Sequence, residues 1–166
     1  MDAWLMSWLE RNGEQALWLV PLLAFAEACV GLGLFVSGVL LLSAATLLYA
    51  QSLAGLPEII VLAWAGGMLG DHSGYLTGRA FGPRLHHLPL AQRFRKNLLK
   101  AETMVQRHGA AAIFIGRFVP AIRSVVPVLV GISGLARLRY TLLDALACLL
   151  WALTLAALVA GLDALW

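Results

Sequence analysis

Charge is scarce in this chain. Of its 166 residues only 13% are Asp, Glu, Lys or Arg, and 61% are hydrophobic, where a soluble domain runs near about 25% and about 50%. Mean hydropathy is +0.83. A chain this short cannot hide so many apolar side chains in a water-facing globule, because small domains leave much of their surface exposed. The composition therefore argues against a soluble enzyme and for helices embedded in a bilayer. The apolar runs are long and do not alternate, which sets a transmembrane barrel aside. Cysteine is scarce too: Cys29 and Cys148 stand alone in apolar sequence, without ligand spacing. His72, His86, His87 and His108 form no metal-spaced cluster with acids or cysteines. No metal or cofactor is expected. The N-terminus lacks a basic stretch and a small-residue cleavage site, so no removable signal peptide is expected. A phosphotransferase would need a His nucleophile among several phosphate ligands, or a metal-binding acidic pair. Ser124 and Ser133 have no evident His–Asp partners. Catalysis is not expected.

The residues that are present sort into six segments of one membrane domain. In residues 1–14, Asp2, Glu10, Arg11 and Glu14 interleave with Trp4, Leu5, Trp8 and Leu9, the pattern of an interfacial amphipathic helix. Most of the six tryptophans read as interface anchors. Residues 15–52 carry only Glu27 as a charge and exceed one untilted span, while Gly31, Gly33 and Gly38 punctuate their middle. A re-entrant hairpin fits better than one long helix, provided protein or a wet cavity covers the broken backbone.

Residues 57–78 read as a transmembrane helix. Gly66, Gly70, Gly74, Gly78 and Gly82 recur every fourth position, a bare ridge on which a neighbouring backbone can lie. The ridge suits an internal contact or a homodimer equally well. Asp71, Tyr75 and Arg79 follow one residue behind the glycines, so Asp71 faces protein or cavity rather than lipid. Its pairing with Arg79 would need a bend in the helix or a bridging group.

Seven of the twelve Lys and Arg residues fall between Arg79 and Arg107. In a membrane chain such a cluster marks a cytoplasmic loop, with lipid headgroups as neighbours and no nucleic acid. Residues 83–108 read as a basic surface segment holding an amphipathic helix. Residues 109–135, GAAAIFIGRFVPAIRSVVPVLVGISGL, contain Arg117, Arg123, Pro120 and Pro127. Two prolines and two arginines are incompatible with a plain lipid-facing helix, and a second re-entrant hairpin is expected. Residues 140–163 form the last span, with Asp144 in its first turn, where a negative charge suits the helix dipole. Each half is thus a broken hairpin followed by a full span. The positive-inside rule makes the halves inverted repeats, the plan of secondary transporters.

Glu27, Asp71, Arg117 and Arg123 are the candidate site. They serve either as a buried ion-pair network that locks the fold or as an anion site with proton-sensitive carboxylates. Two guanidiniums offer forked donors that match a phosphate. Six residues apart on a straight helix they would diverge, so the chain must break between them, and Pro120 is the candidate place.

The run GGMLGDHSGYLTGRAFG, followed some forty residues later by GRFVPAIRSVVPVLVGISGL, resembles the DedA family, also called the SNARE-associated or VTT-domain family. FAEACVGLGLFVSGVLLL resembles that family's first hairpin, with Glu27 at its acidic position. The resemblance covers roughly residues 20–155. It implies a bacterial inner-membrane protein with two opposed re-entrant hairpins that moves lipids across the bilayer. The leading expectation is a flippase that returns undecaprenyl phosphate to the cytoplasmic face, linked to the proton motive force. Glu27, Arg117 and Arg123 become the functional residues, with Asp71 as a further counter-ion, and Tyr75, Arg79, Pro120 and Pro127 in support. One departure bears on coupling: Val36-Ser37-Gly38-Val39 replaces the Pro-Gly/Ser-acid tip of many members. The alternatives are a phospholipid scramblase, or phosphatidylethanolamine flippase, without proton coupling, and a structural or regulatory membrane protein whose charges serve packing.

Overall fold

The computed structural model describes residues 13–34, 36–81, 99, 103, 105, 107–109, 111–119 and 122–164. The expected interfacial helix of residues 1–14 and the basic segment of residues 83–108 lie almost entirely outside the described residues, as do Pro120 and Gly82. Among the described residues the chain is helical, with no strand.

Helices α1 (Gly13–Leu17) and α2 (Leu19–Ala28) are separated by a break at Trp18. The break puts Pro21 in the first turn of α2, where a missing N–H costs nothing. A single 3-10 turn, Leu32–Leu34, follows, with Gly31 at a φ of 87° in the reversal. Ser37 caps α3 (Gly38–Ala50), its hydroxyl accepting from the backbone N–H of Val39 at 3.2 Å. Helix α4 (Leu56–Phe81) carries Pro57 and Glu58 in its first turn, and Glu58 accepts from the N–H of Gly55 at 2.8 Å. Then come α5 (Ala111–Arg117) and α6 (Val126–Ile132), which opens on Pro127. Pro127 therefore starts a helix rather than kinking one. Gly134, at a φ of 76°, closes α6 before α7 (Arg137–Asp163).

At a rise of 1.5 Å per residue, α4 and α7 are each about 40 Å long, α2 and α3 about 15 and 20 Å, and α5 and α6 about 10 Å. Among the described residues one helix, α7, is both long and apolar enough to cross a membrane by length and composition. Helix α4 has the length but carries Glu58, Asp71 and Arg79. Helix α7 begins three residues ahead of the expected span, because the Gly134 turn ends at Ala136. The start of α7 at Arg137 corrects the placing of Asp144. It lies two turns into the helix rather than near its first turn, and is 1% exposed.

The glycine ridge explains how these helices assemble, and it is filled from within the chain. A methyl group on Gly66 would run into the backbone of Pro21, and one on Gly70 into Ala28 and the carbonyl of Phe25. Gly74 faces Val30 and Pro127, and Gly78 faces the carbonyl of Val128. The first half of the ridge thus seats α2 and the second half seats α6. Gly131 of α6 in turn faces the backbone of Tyr75 and Arg79. Helix α7 packs on another side of α4 and touches α3 and α5.

Two apolar clusters result. One gathers Val20, Ala24, Leu41, Ala45, Ile59, Ala63, Ala152 and Leu155 from α2, α3, α4 and α7. The other gathers Tyr75, Ile113, Ile122, Val126, Leu129 and Tyr140 around α5 and α6. Along α4 and α7 the buried charges fall between them. The outer surface remains apolar, with Leu22, Val39, Leu69, Leu142, Leu146 and Leu150 exposed, a surface suited to lipid rather than to water.

Candidate functional site

The sequence scatters Glu27, Asp71, Arg117, Arg123 and Asp144 over four segments, and the fold buries all five between the two apolar clusters. Their exposures are 6%, 4%, 5%, 8% and 1% in that order. Charges at such depth need partners. Arg117, the last residue of α5, donates from Nη1 to Oδ2 of Asp71 on α4. Arg123, in the turn between α5 and α6, donates from Nη1 to Oε1 of Glu27 near the end of α2, at 2.5 Å. The two arginines converge as the reading of a broken segment requires: the helix stops at Arg117 and a run of turns spans Ile122–Val125. Pro120 lies outside the described residues. The Asp71–Arg79 pairing does not form. Arg79 instead donates to the Tyr75 hydroxyl at 2.9 Å and to the carbonyl of Leu135 at 3.2 Å.

Both guanidiniums lie over the ring of Trp151 on α7, at 5.0 Å from its centroid for Arg117 and 4.9 Å for Arg123. Trp151 is thus a cation–π platform inside the protein, not an interface anchor. Two glycines give the ion pairs room. A methyl group on Gly67 would collide with Nη2 of Arg117, and one on Gly38 would come within 2.7 Å of Oε1 of Glu27.

Among the described residues three buried guanidinium nitrogens have no acceptor: Nε and Nη2 of Arg117, and Nη2 of Arg123. The hydroxyl of Tyr140 is likewise buried and unpartnered. Arg117, Arg123 and Tyr140 border one small cavity of about 10 Å³, room for about one water, with Asp71, Asp144, Ile113, Val126 and Pro127 completing its lining. Unpaired buried donors are costly, and an anion would reach these only by displacing the carboxylates beside them.

Sequence reasoning placed His72 beside the Asp71 network but missed the parts played there by Asp144, Cys148 and Tyr140. Asp144 of α7 pairs with Nδ1 of His72 at 3.2 Å. The Cys148 thiol bridges Asp71 and Asp144, at 3.7 Å from each. Tyr75 stacks on Tyr140, with ring centroids 4.1 Å apart and planes 7° from parallel, and donates its hydroxyl to the carbonyl of Leu135 at 2.6 Å. Tyr75 and Arg79 therefore tie the chain ahead of α7 to α4 and stand beside the arginine pair rather than in it. The ligand atoms of Asp71, Asp144 and Cys148 lie within 4.8 Å of one another. A cation there would sit against the Arg117 guanidinium that already holds Asp71, so the trio reads as a hydrogen-bonded cluster. The spacing of Asp144 and Cys148, one helical turn apart, was the available signal.

Comparison with known proteins accounts for most of the chain. Residues 35–161 match the family model of the VTT domain. The chain is 32% identical to the inner membrane protein YqjA of Escherichia coli strain K12 over 130 residues, 75% of this chain and 57% of that protein. It is 30% identical to protein DedA of the same strain over 96 residues, 57% of this chain and 44% of that protein. It is 23% identical to membrane protein BU139 of Buchnera aphidicola over 151 residues, 91% of this chain and 59% of that protein. The chain thus spans less than three fifths of the length of these relatives. No solved structure matches it. The buried charges and the apolar exterior are therefore those of a membrane protein, and the chain belongs to the VTT-domain family, the family of DedA.

Proposed function

We propose that this protein carries lipid phosphates across the bacterial inner membrane, with undecaprenyl phosphate as the leading substrate, by transport and without covalent chemistry. The carrying observation is the arginine pair: Arg117 and Arg123 both lie over the Trp151 ring and border one small cavity, with three of their donors unpartnered. A phosphate matches forked guanidinium donors in charge and geometry. The headgroup docks there while the prenyl or acyl chains stay in lipid. Docking displaces Asp71 and Glu27 from the arginines, and each displaced carboxylate becomes a proton acceptor. Transport is in this way coupled to proton movement.

The architecture behind this reading is a multi-pass one with inverted halves. Helices α2 and α3, and α5 and α6, are each shorter than the roughly 30 Å hydrocarbon core, which suits re-entrant hairpins. Helices α4 and α7 have the length of full spans. The arginines sit where the broken segments meet, the usual place of a transporter site. The basic stretch from Arg79 to Arg107 puts that loop on the cytoplasmic side.

The test is lipid flipping in vesicles reconstituted with the protein. Arg123→Ala is expected to abolish translocation of undecaprenyl phosphate in a variant that still folds, and normal flipping would overturn the site. A second reading, a phospholipid scramblase without proton coupling, is favoured by the tip Val36-Ser37-Gly38-Val39, which holds no acid. Flipping that persists unchanged when the proton gradient is collapsed would select it.

A further inference from the structure

The buried site does not balance its charge. Two guanidiniums, Arg117 and Arg123, stand against three carboxylates, Glu27, Asp71 and Asp144. Two of the carboxylates are held by the arginines, and Asp144 is the one left over. An anion that docks on the arginines adds at least one further negative charge to a poorly solvated space, where an unbalanced charge is costly. Something must then take up positive charge, and the residues around Asp144 are built to do so.

His72 is the candidate carrier. Its Nδ1 lies 2.9 Å from the carbonyl of Met68 and 3.2 Å from Oδ2 of Asp144. A carbonyl only accepts, so Nδ1 carries its proton in either charge state. Its Nε2 lies 3.0 Å from the hydroxyl of Thr141. That hydroxyl donates to a neutral ring and accepts from a protonated one. The imidazole can thus gain a proton without losing a hydrogen bond. Its side chain is 24% exposed and that of Asp144 2%, so the pair reaches from the surface to the cavity. Asp144 and Tyr140 border the same cavity as the arginines.

We propose that the His72–Asp144 pair takes up a proton from water when an anion docks on Arg117 and Arg123, and releases it when the anion leaves. The groups that face this pair are Asp71 from α4, Arg117 and Arg123 from α5 and the turn after it, and Tyr140, Cys148 and Arg137 from α7. Of these Arg117 and Arg123 share the cavity with Asp144, and their positive charge disfavours a proton on the pair until an anion neutralises it, which makes uptake depend on docking. Arg137 opposes the proton whether or not an anion is bound. The pair is separate from Glu27 and Asp71, which act by direct exchange with the ligand. The inference rests on the arginine site proposed above.

The test is calorimetry of the full chain in dodecyl maltoside, titrated with decyl phosphate in buffers of different ionisation enthalpy. It yields protons taken up per probe bound, a ratio independent of affinity. The probe's own ionisation is common to all proteins and cancels in differences. The unaltered protein is expected to take up about one proton more per bound probe than Asp144→Asn does. His72→Gln, checked for folding by circular dichroism and gel filtration, is expected to show the same deficit. His72→Gln removes the imidazole that carries the proton. This second variant decides the matter if Asp144→Asn does not fold. Equal proton counts in the unaltered protein and the folded variants overturn the inference and leave the arginine site standing. Absence of binding to the unaltered protein, or undiminished binding by Arg123→Ala, overturns the arginine site and this inference with it.

Discussion

Arg123 and Glu27, 96 positions apart in the chain, form a buried ion pair between the turn after α5 and the end of α2. Among the described residues it is one of two arginine–carboxylate bridges, and it fastens the second broken segment to the first. Removing one partner strands the other charge in an apolar surround. Glu27→Ala is expected to destabilise the protein by about 3 kcal/mol or more. Glu27→Gln, which keeps an acceptor oxygen for Arg123, is expected to cost less. Thermal unfolding in detergent, followed by circular dichroism, measures both, and equal midpoints for the two variants would contradict the pairing.

The glycines of α4 divide by what they face. A methyl group on Gly78 meets the backbone of Val128, which cannot move without separating α4 from α6. Gly78→Ala is expected to cost about 1–3 kcal/mol, as overpacking does. A methyl group on Gly67 meets only the far end of Arg117. Gly67→Ala is expected to leave the unfolding midpoint nearer that of the unaltered protein, while it pushes the guanidinium aside and weakens binding of decyl phosphate at least about tenfold, about 1.4 kcal/mol. Unaltered affinity in Gly67→Ala would show that Arg117 does not need its present position.

Trp151 contacts both guanidiniums with its ring. Desolvated cation–π contacts contribute about 2 kcal/mol. Trp151→Leu is therefore expected to lower stability beyond the loss of apolar contact, and Trp151→Phe to lower it less. A double-mutant cycle with Arg123→Lys isolates the contact, with an expected coupling of about 1 kcal/mol. A coupling near zero would reduce Trp151 to a packing residue.

Much of the local structure was legible in the sequence because it depends on local chemistry. Proline and glycine signal breaks, and the chain turns at Gly31 and Gly134. The four-residue glycine repeat predicted a close approach, and α2 and α6 make it. Glu27, Asp71, Arg117 and Arg123 could be singled out because charge in apolar sequence is conspicuous. The environment of Asp144 was not legible. A helix start read three residues late placed Asp144 near the helix N-terminus, whereas it sits two turns in and in the core. Trp151 looks like any interface tryptophan until its neighbours are known. Gly67 is one position off the ridge, and only the seat of Arg117 gives it a purpose.

Composition and periodicity alone determined that this chain is apolar and helical and which few charges it keeps from water, since those follow from side-chain transfer energies and the helical repeat. The tertiary structure decided how those charges pair. Asp71 holds Arg117 and not Arg79; Glu27 holds Arg123, and His72 holds Asp144. Such partners are chosen by distance in space, through crossings that the glycines permit. One-dimensional spacing says which face a residue occupies and cannot say what lies opposite it.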